Sequence, residues 1–113
     1  MVPKALTELL TTFKSRYGDR LPPVIITENG CSYPGLDDRP RITYLDTHLR
    51  ALHDAITAGV DVRGYFTWSL LDNFEWAEGY ERRFGLVHVD FETQRRTPKA
   101  SYAWFREVLR AQR

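Results

Sequence analysis

The sequence predicts an α/β fold built on a parallel sheet, and three observations carry that prediction. Helix-period and strand-like segments alternate along the 113 residues, the order expected of crossover connections. The short run Val24-Ile25-Ile26-Thr27 is aliphatic without alternation, as in a strand buried on both faces of a parallel sheet. Only two firm strands are present, whereas a closed α/β barrel needs eight and roughly 250 residues. The pattern is therefore that of part of a larger fold.

Taken in order, the first helix runs from Pro3 to Tyr17, with Leu6, Leu9, Leu10, Phe13 and Tyr17 at helical spacing. Pro3 suits a first helical turn, and Gly18-Asp19 ends the helix. Pro22-Pro23 keep the chain extended into the strand at Val24–Thr27, which Asn29-Gly30 closes. Cys31 to Arg41 is a loop rich in Pro, Gly and Asp. From Arg41 to Ala58 the set Ile42, Leu45, Leu49, Leu52 and Ile56 steps by three and four, with Gly59 as C-cap. A second strand is expected from Val60 to Ser69, then a long loop through Tyr80 and a short extended piece from Phe84 to Val89. Thr97 as N-cap and Pro98 at the first helical position open the last helix, striped by Tyr102, Phe105 and Leu109.

Composition narrows the function. Sixteen Lys+Arg against fifteen Asp+Glu leave a net charge of +1, no electrostatic footprint for nucleic acid or an anionic membrane. A single Cys excludes an internal disulfide framework and a cysteine-built zinc site. No apolar run approaches the ~20 residues of a membrane span, and no signal core follows Met1-Val2-Pro3-Lys4. The expectation is a cytoplasmic protein that uses no cofactor or metal. His48 and His53 lie five apart on one helix, off a common face, and read as surface or boundary residues. His88 reads as structural, and Cys31 lacks a local His to activate it. Arg82-Arg83 and Arg95-Arg96 read as solvated or ion-paired, and no glycine-rich phosphate loop is present.

In parallel α/β folds the working groups stand at the C-terminal ends of strands. Glu28 directly follows the first strand, where a carboxylate loses solvation and serves stability poorly. It fits a nucleophile or an acid/base group, and on spacing alone it fits a solvated loop residue beside Asn29-Gly30 equally well. The second strand ends in Trp68-Ser69-Leu70-Leu71-Asp72-Asn73-Phe74-Glu75-Trp76, two tryptophans bracketing a carboxylate. Flat aromatic faces beside a carboxylate suit a sugar, whose C–H face packs on indole while its hydroxyls bond the polar groups. Tyr65 and Phe66, inside the strand, read as core. Trp76, in the polar stretch Glu75-Trp76-Ala77-Glu78-Gly79, reads less readily so.

At these residues the chain resembles the C-terminal part of family-one glycoside hydrolases, the β-glucosidases and their relatives. The matching stretches include Thr27-Glu28-Asn29-Gly30, Arg41-Ile42-Thr43-Tyr44-Leu45, Gly64 through Trp76, Gly79-Tyr80, Arg83-Phe84-Gly85-Leu86, Val89-Asp90 and Thr97-Pro98-Lys99, in the family's order. The resemblance implies the C-terminal part of a (β/α)₈ TIM barrel, about strands seven and eight with flanking helices. That part would form one partial domain over residues 1–113 and be incomplete on its own. It implies a β-glycoside substrate with a terminal β-D-glucosyl, galactosyl or fucosyl residue. Glu28 matches the catalytic nucleophile, Trp68 the platform beneath the sugar, and Glu75 the residue that holds the 4- and 6-hydroxyls. Trp76 matches the residue whose N–H reaches the 3-hydroxyl, and Phe84 an aromatic wall near C6.

The departure lies in what is absent. Retaining hydrolysis needs a second carboxyl group about 5–5.5 Å from the nucleophile. The family carries it in Asn-Glu-Pro, but Asn29 and Asn73 here precede Gly and Phe. The chain alone is expected to be inactive. The alternatives are a non-catalytic carbohydrate-binding module on Trp68, Glu75 and Trp76, or a chain-complementing fragment. In the latter, open strand edges invite an N-terminal barrel chain or self-association.

Overall fold

The structure, a computed structural model, describes residues 2–112. It contains α1 (Lys4–Tyr17), β1 (Val24–Asn29), α2 (Arg39–Thr57), β2 (Val62–Thr67), β3 (Val87–Val89), β4 (Arg96–Pro98) and α3 (Ala100–Arg110), with short 3₁₀ turns at Gly18–Arg20 and Trp76–Glu78. The chain divides into two compact units, Met1–Thr27 with Leu45–Phe66 and Glu28–Tyr44 with Thr67–Arg113. Among the described residues no helix is long and apolar enough to cross a membrane.

β1 and β2 form a two-stranded sheet. Val24 N–H donates to the Asp61 carbonyl at 2.8 Å and Trp68 N–H to that of Asn29 at 2.9 Å, so both strands run in one direction. In the first unit, Leu10 of α1, Leu52 and Ala55 of α2, and Val60 make a buried cluster, and Val24, Ile26, Val62 and Tyr65 pack against it. The i, i+4 spacing of Leu6 and Leu10 brings α1 onto that cluster by one face. Burying each large aliphatic stabilises by about 1.5–3 kcal/mol. β1 is not buried on both faces as expected: Ile25 is 53% exposed, and Phe66, expected in the core, is 62% exposed. The apolar cluster covers one face of the strands; the alternating residues point away from it.

The second unit is organised by buried charge. Arg41, Asp38, Asp72 and Lys99 are all nearly inaccessible. The Arg41 guanidinium donates from Nε to Asp38 at 2.6 Å, from Nη1 to the carbonyls of Cys31 and Phe84, and from Nη2 to those of Tyr33 and Arg83. Each of its five N–H groups thus has an acceptor. The Asp72 carboxylate accepts from Lys99 Nζ, Arg83 Nη1 and the N–H groups of Gly85 and Val89.

The structure corrects two readings here. Thr97-Pro98 does not open α3 but forms β4, antiparallel to β3 with His88 opposite Thr97. The helix begins at Ala100, and Asp38, 63 residues away, supplies its cap by accepting from Ser101 N–H and Oγ. A carboxylate at a helix start serves its free N–H groups and its dipole, so a local cap is unnecessary. His48 is buried rather than at the surface, while His53 is exposed. His48 lies on the same side of α2 as Leu45 and Leu52, one helical turn from each and both buried.

Candidate active site

β1 continues past its aliphatic run through Glu28 and Asn29, so Glu28 is the strand's penultimate residue rather than a loop residue, and it is exposed. Beyond it, the backbone at Gly30 passes so close to Trp68 that a Cβ would overlap the Trp68 carbonyl oxygen. Only glycine admits that approach. Trp68 follows β2 directly, and its peptide bond to Ser69 is cis.

These chain ends enclose a cleft of about 380 Å³ lined by Glu28, Asn29, Gly30, Tyr44, Trp68, Glu75 and Trp76. Four of the residues singled out from sequence, Glu28, Trp68, Glu75 and Trp76, therefore share one cleft. Phe84 lies outside that lining; its carbonyl accepts from Ser69 N–H and Arg41 Nη1. Trp68 Nε1–H donates to Glu75 Oε2 at 3.3 Å, which orients the indole plane and the carboxylate together. Trp76 is 81% exposed and holds a left-handed backbone, φ 45°, at a cost of about 1–3 kcal/mol for a non-glycine. Two bonds clip that turn shut: Glu75 N–H to Gly79 O at 2.7 Å and Gly79 N–H to Trp76 O at 3.1 Å.

The loops are held from beneath. Asp72, three residues before Glu75, ties the cleft's second wall to Lys99, and Arg41 ties the carbonyls of Cys31 and Tyr33, just past Glu28, to α2. Sequence reasoning missed Asn29, Gly30 and Tyr44 as lining residues. The signal was present for Tyr44, one turn after Arg41 on the same helix face. Asn29 Nδ2 donates to the Tyr44 hydroxyl at 3.0 Å. Burial pushes the Tyr44 phenol above its ordinary range, with Cys31 adding to the rise and the Asn29 bond opposing it. Burial likewise raises the Cys31 thiol, Arg41 partly offsetting it, and a thiol held protonated is a poor nucleophile. Among the described residues no group of three or more His, Cys, Asp or Glu is placed to hold a metal.

Chemically, the cleft offers two indole faces, an indole N–H already engaged, and two carboxylates in Glu28 and Glu75. Apolar C–H faces and clustered hydroxyls of a pyranose match that set.

Known proteins match the chain over nearly all of its length. The profile of Glycosyl hydrolase family 1 matches residues 1–113. A bifunctional β-D-glucosidase/β-D-fucosidase of Bifidobacterium breve is 47% identical over 95% of this chain and 25% of its own length. Thermostable β-glucosidase B of Thermobispora bispora is 54% identical over 77% of this chain and 20% of its own. The family 1 β-glucosidase from Thermotoga maritima, solved also in complex with glucoimidazole, superposes with a TM-score of 0.91 at 44% identity, covering 96% of this chain and 26% of that one. The chain thus spans about a quarter of the length of these relatives. With the profile matched from end to end, the chain belongs to glycosyl hydrolase family 1.

Proposed function

We propose that residues 1–113 are one partial domain, the seventh and eighth strands of a (β/α)₈ barrel with their flanking helices, and carry the nucleophile half of a retaining β-glycosidase. The observation that carries this reading is the convergence of Glu28, Trp68, Glu75 and Trp76 on one cleft. A Glu28 oxygen attacks the anomeric carbon, and the bond to the leaving oxygen breaks with its electron pair. That oxygen takes a proton from a second carboxyl group, and water later releases the sugar with retention. Trp68 is the platform, Glu75 accepts from the 4- and 6-hydroxyls, and Trp76 donates to the 3-hydroxyl; a C6 wall at Phe84, outside the cleft lining, rests on the family resemblance alone. The sugar is a terminal β-D-glucosyl, galactosyl or fucosyl unit.

The proton donor is not among these residues, because Asn-Glu-Pro does not occur in the sequence. It belongs to a complementary N-terminal barrel segment. The test combines the chain with a family 1 β-glucosidase truncated where the resemblance to residue 1 begins, and follows hydrolysis of an aryl β-glucoside. Turnover by the mixture, none by the chain alone and none with Glu28→Ala is the expected result. Turnover by the purified chain alone, lost in Glu28→Ala, overturns the half-site reading.

A further inference from the structure

We propose that Tyr44 is a positioning residue of the Glu28 site: by holding the Asn29 side chain, its hydroxyl fixes the strand end from which Glu28 projects. The inference rests on the nucleophile reading of Glu28 and adds a residue to that site.

Three observations meet at this point. Tyr44 lines the cleft and accepts from Asn29 Nδ2 at 3.0 Å. The Asn29 carbonyl accepts the Trp68 N–H at 2.9 Å, so the residue beside Glu28 is bonded by its side chain to α2 and by its backbone to the sugar platform. Arg41, one helical turn before Tyr44, holds the Cys31 and Tyr33 carbonyls from the same helix face. The segment after Glu28 is thus gripped at 29, 31 and 33 by two side chains of a single helix.

Such a grip matters because a nucleophile displaced by about 1 Å loses rate on the order of 100-fold. Glu28 is exposed and stands on a sheet of two strands, so its direction depends on the backbone beneath it.

The experiment compares the chain with Tyr44→Phe, which keeps the ring and removes the acceptor. Amide exchange is read at Trp68, whose N–H bonds Asn29, and at Leu86, whose N–H bonds the Ser69 carbonyl, as an internal control. Trp68 exchange should accelerate roughly tenfold with Leu86 unchanged, and glucoimidazole, followed by tryptophan fluorescence, should bind several-fold more weakly. Should Tyr44→Phe fail to fold, Asn29→Ala removes the donor instead and should accelerate Trp68 exchange equally. Unchanged Trp68 exchange in a folded variant overturns the proposal, whatever glucoimidazole does. If the unsubstituted chain shows no response to glucoimidazole, the glycone reading of the cleft falls, while Trp68 exchange still decides the role of Tyr44.

Discussion

The two units of the molecule are stabilised by opposite chemistries. In the first, Leu10, Leu52, Ala55 and Val60 make a dry aliphatic cluster, whose strength follows buried area and whose members tolerate similar volumes. In the second, Arg41 with Asp38 and Lys99 with Asp72 lie buried among backbone carbonyls and N–H groups. Buried ion pairs add little net stability, but removing one partner is severe because the other charge is stranded. The candidate site lies wholly in the second unit. Aliphatic packing fixes a volume, whereas a directional network fixes where particular backbone atoms stand, and a cleft of carboxylates and indoles needs the latter.

Arg41→Met tests the comparison most severely. It strands the Asp38 charge and removes the side-chain donor from the Cys31 and Tyr33 carbonyls, while those of Arg83 and Phe84 keep the N–H groups of Tyr33 and Ser69. The expected loss is about 3–5 kcal/mol by urea denaturation. Leu52→Ala should lose less, toward the lower end of the about 2–5 kcal/mol range for such truncations, because half-buried Leu6 and Leu21 can close on the cavity. A larger loss for Leu52→Ala than for Arg41→Met would reverse the stated roles of the two units.

The same contrast explains what could be read in advance. Helical period located α1 and α2, and the aliphatic run located β1, because both signals are local in sequence. Glu28, Trp68, Glu75 and Trp76, which share one cleft, could be singled out because each stands at a strand's C-terminal end or in the loop that follows it. The Asp38–Ser101 cap and the Asp72–Lys99 pair join residues 63 and 27 apart, and no local pattern announces such partners. Thr97-Pro98 has the chemistry of a helix start, yet pairing with Val87 and His88 draws it into β4. A cap supplied from elsewhere frees that segment to be a strand.

Lys99→Met should have a smaller effect than Arg41→Met, about 1–3 kcal/mol, because Asp72 keeps Arg83 and the N–H groups of Gly85 and Val89. Its pH dependence is the sharper test. Burial holds the Lys99 ammonium below the usual lysine range, although the Asp72 bond opposes the shift. Between that lowered value and the ordinary one, the unfolded chain binds more protons than the folded chain, so stability rises with pH there. The stability difference between the chain and Lys99→Met should therefore widen in favour of the unsubstituted chain as pH rises toward about 10. Urea midpoints at a series of alkaline pH values report it, and a difference that stays constant denies the burial effect.

The smallest effect belongs to Asp90, outside both buried pairs, in the loop joining β3 to β4. Its carboxylate accepts the N–H groups of Thr93 and Glu92. These bonds, Thr93 first, hold it below the usual carboxylate range, with a small contribution from His88. A folded-state value below the unfolded one means stability present above about pH 4 and lost as pH falls through the folded value. Asp90→Asn removes that dependence, so the acid limb of the thermal midpoint should flatten slightly while Leu52→Ala, a purely apolar change, leaves its shape intact. An acid limb identical in Asp90→Asn would mean that the Asp90 bonds to Thr93 and Glu92 contribute nothing measurable to that part of the profile.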